Sequence, residues 1–320
     1  MIEVRTLAAG EKISDSGAFS GVSMARYHGP DLCDGPSISS SGLRQIFTDS
    51  PMGYWVESPY NPARIDQSDK EHFVLGRACH HLLLGEAEFG KHFSVRPEKW
   101  DSWRTNDARG WRSKEQLAGR TVLDPKQIEA IRGMAGLLDW QKDLDDSGLA
   151  NSALVKSGIL NGLIEHTVVY RDEETGIYIK VRPDAIPLTD GVAGDLKTTT
   201  AVDYESLQGT INSLRYDVQG ALIRMALRMV CGIELTNFAL IYVMKTPPYA
   251  VQPVEIKTEA MDAAEQDIRV ALRTFARCME TGKWPGPGGT QADAMYIEMS
   301  GWARKRADAR REFLEREIAA

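Results

Sequence analysis

Apolar residues recur every third or fourth position from Leu207 through Ile211, Leu214, Val218, Leu222 and Met225 to Met229, which predicts one long amphipathic helix. The same spacing through Met261, Ala264, Ile268, Leu272, Phe275 and Met279 predicts the last long helix, ending near Gly282. Between them, Phe238 to Met244 is an unbroken apolar run of strand length, typical of a buried central strand. Val251 to Lys257 reads as a further strand. Upstream, Leu163 to Tyr170 alternates into β-branched residues, Asp172 to Gly176 carries turn chemistry, and Ile177 to Arg182 returns, so a hairpin is expected. Val192 to Leu196 is a short third strand.

Helix signals dominate the part before the hairpin. Ser39, Ser40 and Ser41 offer N-cap chemistry ahead of Leu43, Ile46 and Phe47, and Ser50-Pro51 stops that helix. A second helix is predicted over 71–84, carrying Phe73, His80 and Leu84. A third starts at Pro125, with Ile128, Ile131, Ala135 and Leu138 on one face. There are no internal repeats. The order is helices, three strands, helix, strand, strand, helix, which is that of a single α/β or α+β domain with a helical N-terminal part. Residues 1–36 are rich in Gly, Ser and Asp and weakly periodic; the first 26 read as a loosely packed arm, with the domain over 27–320. The stretch 95–121 follows no period. It sets Trp100, Trp103 and Trp111 among Arg96, Lys99, Arg104, Arg109, Arg112 and Lys114.

With 320 residues and 42% hydrophobic content, the chain can bury one large core. It has no apolar run of membrane-spanning length and no secretory pattern at its start, so a soluble, cytoplasmic protein is expected. Cys33, Cys79, Cys231 and Cys278 are scattered without metal-ligand spacing, which excludes a zinc ribbon and a disulfide framework. A net charge of −7 argues against a general polyanion binder. If nucleic acid is the substrate, the basic residues must be gathered on one face.

The candidate chemistry lies at the strand ends. Aspartate is depleted in strands, and a buried charge needs a partner or a metal. Asp195 therefore calls for company. Strand periodicity puts Lys197 on the same face as Asp195, with Leu196 turned into the core, and the hairpin can bring Asp184 alongside. Oxygen donors of this kind select Mg²⁺, or Mn²⁺ in its place, and a lysine beside them suits phosphodiester hydrolysis. A surface Asp–Lys ion pair is the plainer reading of the same triplet. Glu165 interrupts an apolar stretch and can face the same site. Gln219, on the polar margin of the long helix, either orients a water or phosphate or is simply solvated. For His80, spacing does not choose between a core residue and a ligand.

Several motifs in order then resemble RecE-type exonucleases (exodeoxyribonuclease VIII), a branch of the PD-(D/E)XK nuclease superfamily, from residue 27 to the C-terminal end. Ile38 to Leu43, Ser50-Pro51 and Tyr54-Trp55 resemble the family's opening helix. Gly76 to Leu84 is similar to its GxxxH element before a leucine run. Glu165, the turn Asp172 to Ile177, and Arg182-Pro183-Asp184 follow as hairpin and first aspartate. Asp195-Leu196-Lys197-Thr198-Thr199 resembles the D-x-K-T-T signature, and Arg215 to Gln219 the next helix. Pro253 to Ile256 and Trp284-Pro285 extend the likeness.

The resemblance implies a PD-(D/E)XK core, a central mixed β-sheet flanked by helices. It implies Lys197, Asp184, Asp195 and Gln219 as catalytic residues, and His80, Glu165, Asp184, Asp195 and the main-chain carbonyl of Leu196 around the metal. Arg104 and Asn106 resemble a short family motif and, with Trp103 and Arg182, are the expected DNA contacts. Ile223 departs from the pattern, where many members carry an aromatic. The activity implied is a Mg²⁺-dependent exonuclease acting on double-stranded DNA ends from 5′ to 3′, leaving 3′ overhangs. A RecT-like annealing partner and a ring-shaped homotetramer are implied by analogy. An endonuclease of the same superfamily, or a non-catalytic DNA-binding protein, are the alternatives.

Overall fold

The structure, a computed structural model, describes residues 2–64, 76–80, 89–138, 159–289 and 297–319. The chain opens with β1 (Val4–Thr6), β2 (Gly17–Ser20), α1 (Met24–His28), β3 (Ser37–Ser39), α2 (Ser40–Thr48) and α3 (Pro51–Glu57). Helical residues 76–80 (α4) precede α5 (Phe89–His92), β4 (Phe93–Val95), α6 (Asn106–Leu117), β5 (Thr121–Leu123) and α7 (Pro125–Leu138). The hairpin region supplies β6 (Leu163–Ile164), β7 (Thr167–Arg171), β8 (Tyr178–Val181) and β9 (Ala185–Ile186). Then come β10 (Gly191–Thr199), α8 (Tyr204–Leu214), α9 (Tyr216–Cys231), β11 (Leu235–Met244), β12 (Val251–Ile256), α10 (Thr258–Thr281) and α11 (Gly301–Ala319). Of the helix predicted over 71–84, only 76–80 falls among the described residues; Phe73, Leu84 and the side chains of Ala135 and Leu138 lie outside them. No described helix is long and apolar enough to cross a membrane.

Strand β11 is the centre of the three-stranded sheet β10–β11–β12, parallel to β10 and antiparallel to β12. Its residues Phe238 to Val243 are buried on both faces, as the unbroken apolar run required. On one face, Ala193, Phe238, Leu240 and Tyr242 join the core built with α9 and α10. On the other, Leu196, Ala239, Ile241 and Val243 pack with Ala78 and Cys79 of α4 and Ile131 and Met134 of α7. Helices thus cover both faces of a mixed sheet. Alternation then fixes the site: Asp195 and Lys197 point with Ala193 toward α9, and Leu196 points away.

Gly220 lets α9 come close. A Cβ built there would meet the Phe238 ring at 2.6 Å, so the helix can rest on β11 only where a side chain is missing.

Three expectations need correction. The single helix predicted over 207–229 is two helices, broken at Arg215, whose backbone turns left-handed at φ 49°, ψ 54°. The apolar period runs through the break and hides it. Contacts from distant segments hold the break: the Arg215 guanidinium donates to Asp217 at 2.8 Å and to Asp267 of α10 at 2.6 Å, and Arg44 of α2 donates to the Leu214 carbonyl that ends α8.

Second, the expected loose arm is built into a sheet. A five-stranded sheet runs β1–β2–β7–β8–β3, with β2 antiparallel to β7. Leu7, Ile13, Phe19, Val22 and Tyr27 share a buried cluster with Val169 and Tyr178 of the hairpin. Strands this short leave too few alternations to be seen in the sequence.

Third, α10 is not the last long helix. Residues 288–320 form a separate compact unit holding α11, whose polar and apolar residues are not sorted to two faces.

The predicted hairpin turn is present and docked. Asp172 accepts from the Thr175 N–H at 3.0 Å and hydroxyl at 2.7 Å, pairs with Arg269 of α10, and Gly176 takes the left-handed conformation at φ 70°.

Candidate metal and catalytic site

Asp184 stands where β8 gives way to β9, and β9 lies against β10. Its Oδ2 accepts the Leu196 N–H at 2.5 Å, and its Oδ1 lies 3.3 Å from His80 Nδ1 on α4. Glu165, between β6 and β7, takes a left-handed backbone at φ 55° and donates its N–H to the Asp184 carbonyl at 3.1 Å. Ligand atoms of His80, Glu165 and Asp184 all fall within 4.8 Å of one another, the spacing of groups that can share one cation. Leu196, expected to offer its carbonyl, meets this group through its N–H on Asp184.

Asp195 is held differently. Its Oδ1 accepts from Gln219 Nε2 at 2.8 Å, and its Oδ2 pairs with Lys197 Nζ. The Lys197 ammonium lies 5.0 Å from the centroid of the Tyr216 ring, whose surroundings also include the Arg44 guanidinium at 5.7 Å. Helix α9, started afresh by the Arg215 break, therefore brings both Tyr216 and Gln219 to β10. Sequence reasoning passed over Tyr216 and Arg44. Tyr216 sits inside the Arg215–Gln219 motif, whereas Arg44 gave no sign, since its α2 helix is far away in the chain.

Burial and charge set the protonation of these groups. Burial would raise the pKa of Asp184, but His80, Lys197 and the Leu196 N–H outweigh it and hold the carboxylate low. For Asp195, burial and the Asp184 charge prevail over Lys197, and the pKa is raised. Burial opposes charge on Lys197, yet Asp195 and Asp184 raise its pKa. His80 would be lowered by burial, but Asp184 lifts it to about 9. Glu165 is open to solvent on one side; lost hydration on the other and the Asp184 charge raise its pKa. The arrangement is two buried carboxylates crowded together, Asp184 held low by His80, and Asp195, although paired with Lys197, more readily protonated than a free carboxylate. Such a place attracts a divalent metal and a phosphate beside it.

The Trp/Arg stretch is helical only in its second half: Trp111 lies in α6, whereas Arg96, Trp100, Trp103 and Arg104 precede it outside any helix or strand. Thr105 caps α6 by accepting from the Ala108 N–H at 3.2 Å, and β4 and β5 pair in parallel on either side. Trp103 stacks on Trp111 at 6.2 Å and 9°, with the Arg96 and Arg112 guanidinium groups 5.3 Å and 5.2 Å from the Trp103 centroid. Arg104 is exposed, and Asn106, also exposed, accepts from Arg109 at 2.8 Å. Arg182 is placed otherwise than expected for a DNA contact. Its guanidinium donates to Thr167 Oγ1 at 2.7 Å and the Val22 carbonyl at 2.5 Å, and lies over the Tyr27 ring at 4.9 Å. It ties the segment leading to Asp184 onto α1.

No curated protein matches the sequence. The fold is similar to a solved structure described as "Putative exonuclease" from Eubacterium rectale, with a TM-score of 0.53, 10% identity, and coverage of 82% of this chain and 91% of that one. At that identity the likeness speaks for the fold. The sequence itself matches a family described as PDDEXK-like domain of unknown function (DUF3799) over residues 56–295, a segment that holds His80, Glu165, Asp184, Asp195, Lys197 and Gln219. Since that segment is well over half of the chain, the protein belongs to this family of PDDEXK-like domains.

Proposed function

We propose that this chain is a divalent-metal-dependent exonuclease for double-stranded DNA. The observation that supports it most is the meeting of His80, Glu165 and Asp184 beside the Asp195–Lys197–Gln219 group. An oxygen-rich donor set with one imidazole and no thiolate fits Mg²⁺, with Mn²⁺ as substitute. His80, Glu165 and Asp184 would hold the ion, with Asp195 and the Leu196 carbonyl as further ligands. Bound there, it would neutralise phosphate charge and acidify a water. Lys197 stabilises the charge that builds on the attacking oxygen and the phosphoryl group. Gln219 keeps Asp195 in place, and Tyr216 gives the lysine a face to rest on. Arg104, Asn106 and Trp103 are the proposed DNA contacts; Arg182, whose donors are engaged, is not carried into that role.

The 5′-to-3′ polarity, the 3′ overhang for strand annealing, a RecT-like partner, a homotetrameric ring and a cytoplasmic setting belong to the same proposal. They rest on the resemblance to RecE-type nucleases. The deciding experiment is digestion of a linear duplex labelled at one 5′ or one 3′ end, with Mg²⁺ or EDTA, beside a closed circle. Early release of the 5′ label, only with metal and only from the linear DNA, is expected. Cutting of the circle would make the protein an endonuclease, and no cleavage with any metal would end the nuclease reading.

Metal binding should also release a proton. His80, held up to about 9 by Asp184 against the opposing effect of burial, is protonated at neutral pH in the metal-free protein. An imidazolium cannot ligate, so the ion must displace that proton. Titration calorimetry at neutral pH in buffers of different ionisation enthalpy should give about one proton released per ion, and affinity should rise about tenfold per pH unit toward the His80 value. Without metal the sign reverses. The His80–Asp184 pair stabilises the fold fully below the ordinary value of 6.5 and loses that contribution as pH rises through about 9. Heats that do not depend on the buffer would take His80 out of the ligand set.

A further inference from the structure

Charge is divided along α11. From Trp302 to Arg311 it carries Arg304, Lys305, Arg306, Arg310 and Arg311 against Asp308 alone; beyond, Glu312, Glu315 and Glu317 stand against Arg316. A helix is stabilised by acids in its first turns and bases in its last. The pattern is the reverse, so it works against the helix and is not there to stabilise it. Burial does not explain it either, because Trp302 is 69% exposed and Phe313 52%.

One face gathers the features. Trp302, Arg306, Arg310 and Phe313 follow one another at helical spacing, with Lys305 at the margin. The Arg306 guanidinium lies over Trp302 and the Arg310 guanidinium over Phe313, each 5.3 Å from the ring centroid. Lys305, Arg306 and Arg310 form no ion pair among the described residues, whereas Arg304, Arg311 and Arg316 each have a carboxylate within 4.0 Å. Arginines stacked on aromatic rings are partly ordered before any partner arrives, which favours recognition of phosphates. The chain as a whole carries a net charge of −7 and so repels a polyanion except where its sign is locally inverted.

We infer that this face of α11 docks on the phosphate backbone of duplex DNA, giving the protein a contact for its substrate in addition to the 95–121 segment. The inference rests on the nuclease reading for the identity of the polyanion. Its recognition is of charge, and no base sequence is read.

The test uses the full chain in EDTA, so that nothing is cut. Binding of a fluorescent duplex is followed between about 50 and 200 mM salt for the unaltered protein and for a variant combining Lys305→Gln, Arg306→Gln and Arg310→Gln. Three lost phosphate contacts should flatten the slope of log affinity against log salt by about 2 to 3 and weaken binding about tenfold or more at the lower salt. The pair Arg306→Lys and Arg310→Lys should keep the slope, because the charge is kept. An unchanged slope in the glutamine variant, a slope lost equally in the lysine variant, or no duplex binding by the unaltered chain overturns the inference. The last two results would suit an acidic protein partner or none. Cleavage with metal is scored separately. A chain that cuts DNA but shows no change of slope loses only the α11 contact; one that binds through α11 yet never cuts loses only the nuclease reading.

Discussion

Replacing Lys197 with methionine is expected to slow DNA cleavage by about 10²- to 10⁴-fold, the usual loss when a group stabilising transition-state charge is removed. Methionine fills a similar volume, so the apolar contacts of the stem are kept and the charge alone is tested. The same change alters stability in a pH-dependent way. Asp195 is buried, and without Lys197 its remaining partner is Gln219. Burial and Asp184 already raise its pKa with the lysine present, so the variant should take up a proton there on folding. A folded-state pKa above the unfolded one gives stability that is full at low pH and is lost as pH rises past the ordinary carboxylate range. Urea midpoints of variant and parent should therefore lie close together near pH ~4 and separate toward neutrality. Undiminished cleavage would remove Lys197 from the chemistry. A gap that ignores pH would mean that Asp195 stays ionised and finds another cation.

Gly220→Val should destabilise the protein by about 1–3 kcal/mol, the range for overpacking a tight interior contact. The added Cβ would overlap the Phe238 ring, which is fully buried and has no space to retreat. Helix α9 must then lift from β11. Gln219 precedes the substituted residue on α9 and holds Asp195, so cleavage should fall together with stability. The contact is pairwise, which makes the account easy to break. In a Phe238→Leu background the same substitution should lose much of its effect, with a coupling of about 0.5–3 kcal/mol. Equal effects in both backgrounds would show that the glycine matters for some reason other than the ring above it.

Much of the site was legible because strand periodicity is a strict rule. Given a strand through Asp195, the side-by-side placement of Lys197 and the inward turn of Leu196 follow at once, and both are found. Gln219 followed from a helix expected next along the chain. What escaped depended on contacts between distant segments. Nothing near Arg215 shows that a left-handed residue stands there, because the cause includes Asp267, across α10. The tryptophans of 95–121 gave no period because they stack on one another and on arginines instead of lining one helical face. Arg182 was an expected DNA contact beside Asp184, and its acceptor at Val22 could be known only once the N-terminal strands were placed.

Those strands separate kinship from folding. The segment that matches the family begins at residue 56, after β1, β2 and β3. Yet these three flank β7 and β8 on both sides, and a two-stranded ribbon alone is marginal in water. A polypeptide trimmed to the matched segment would keep every residue of the proposed site while exposing both edges of the hairpin that leads to Asp184. Such edges invite pairing with other chains. The recognisable part of the protein is therefore smaller than the part that must fold together, and a fragment chosen by likeness alone would aggregate with the residues of the proposed site intact in sequence and out of place in space.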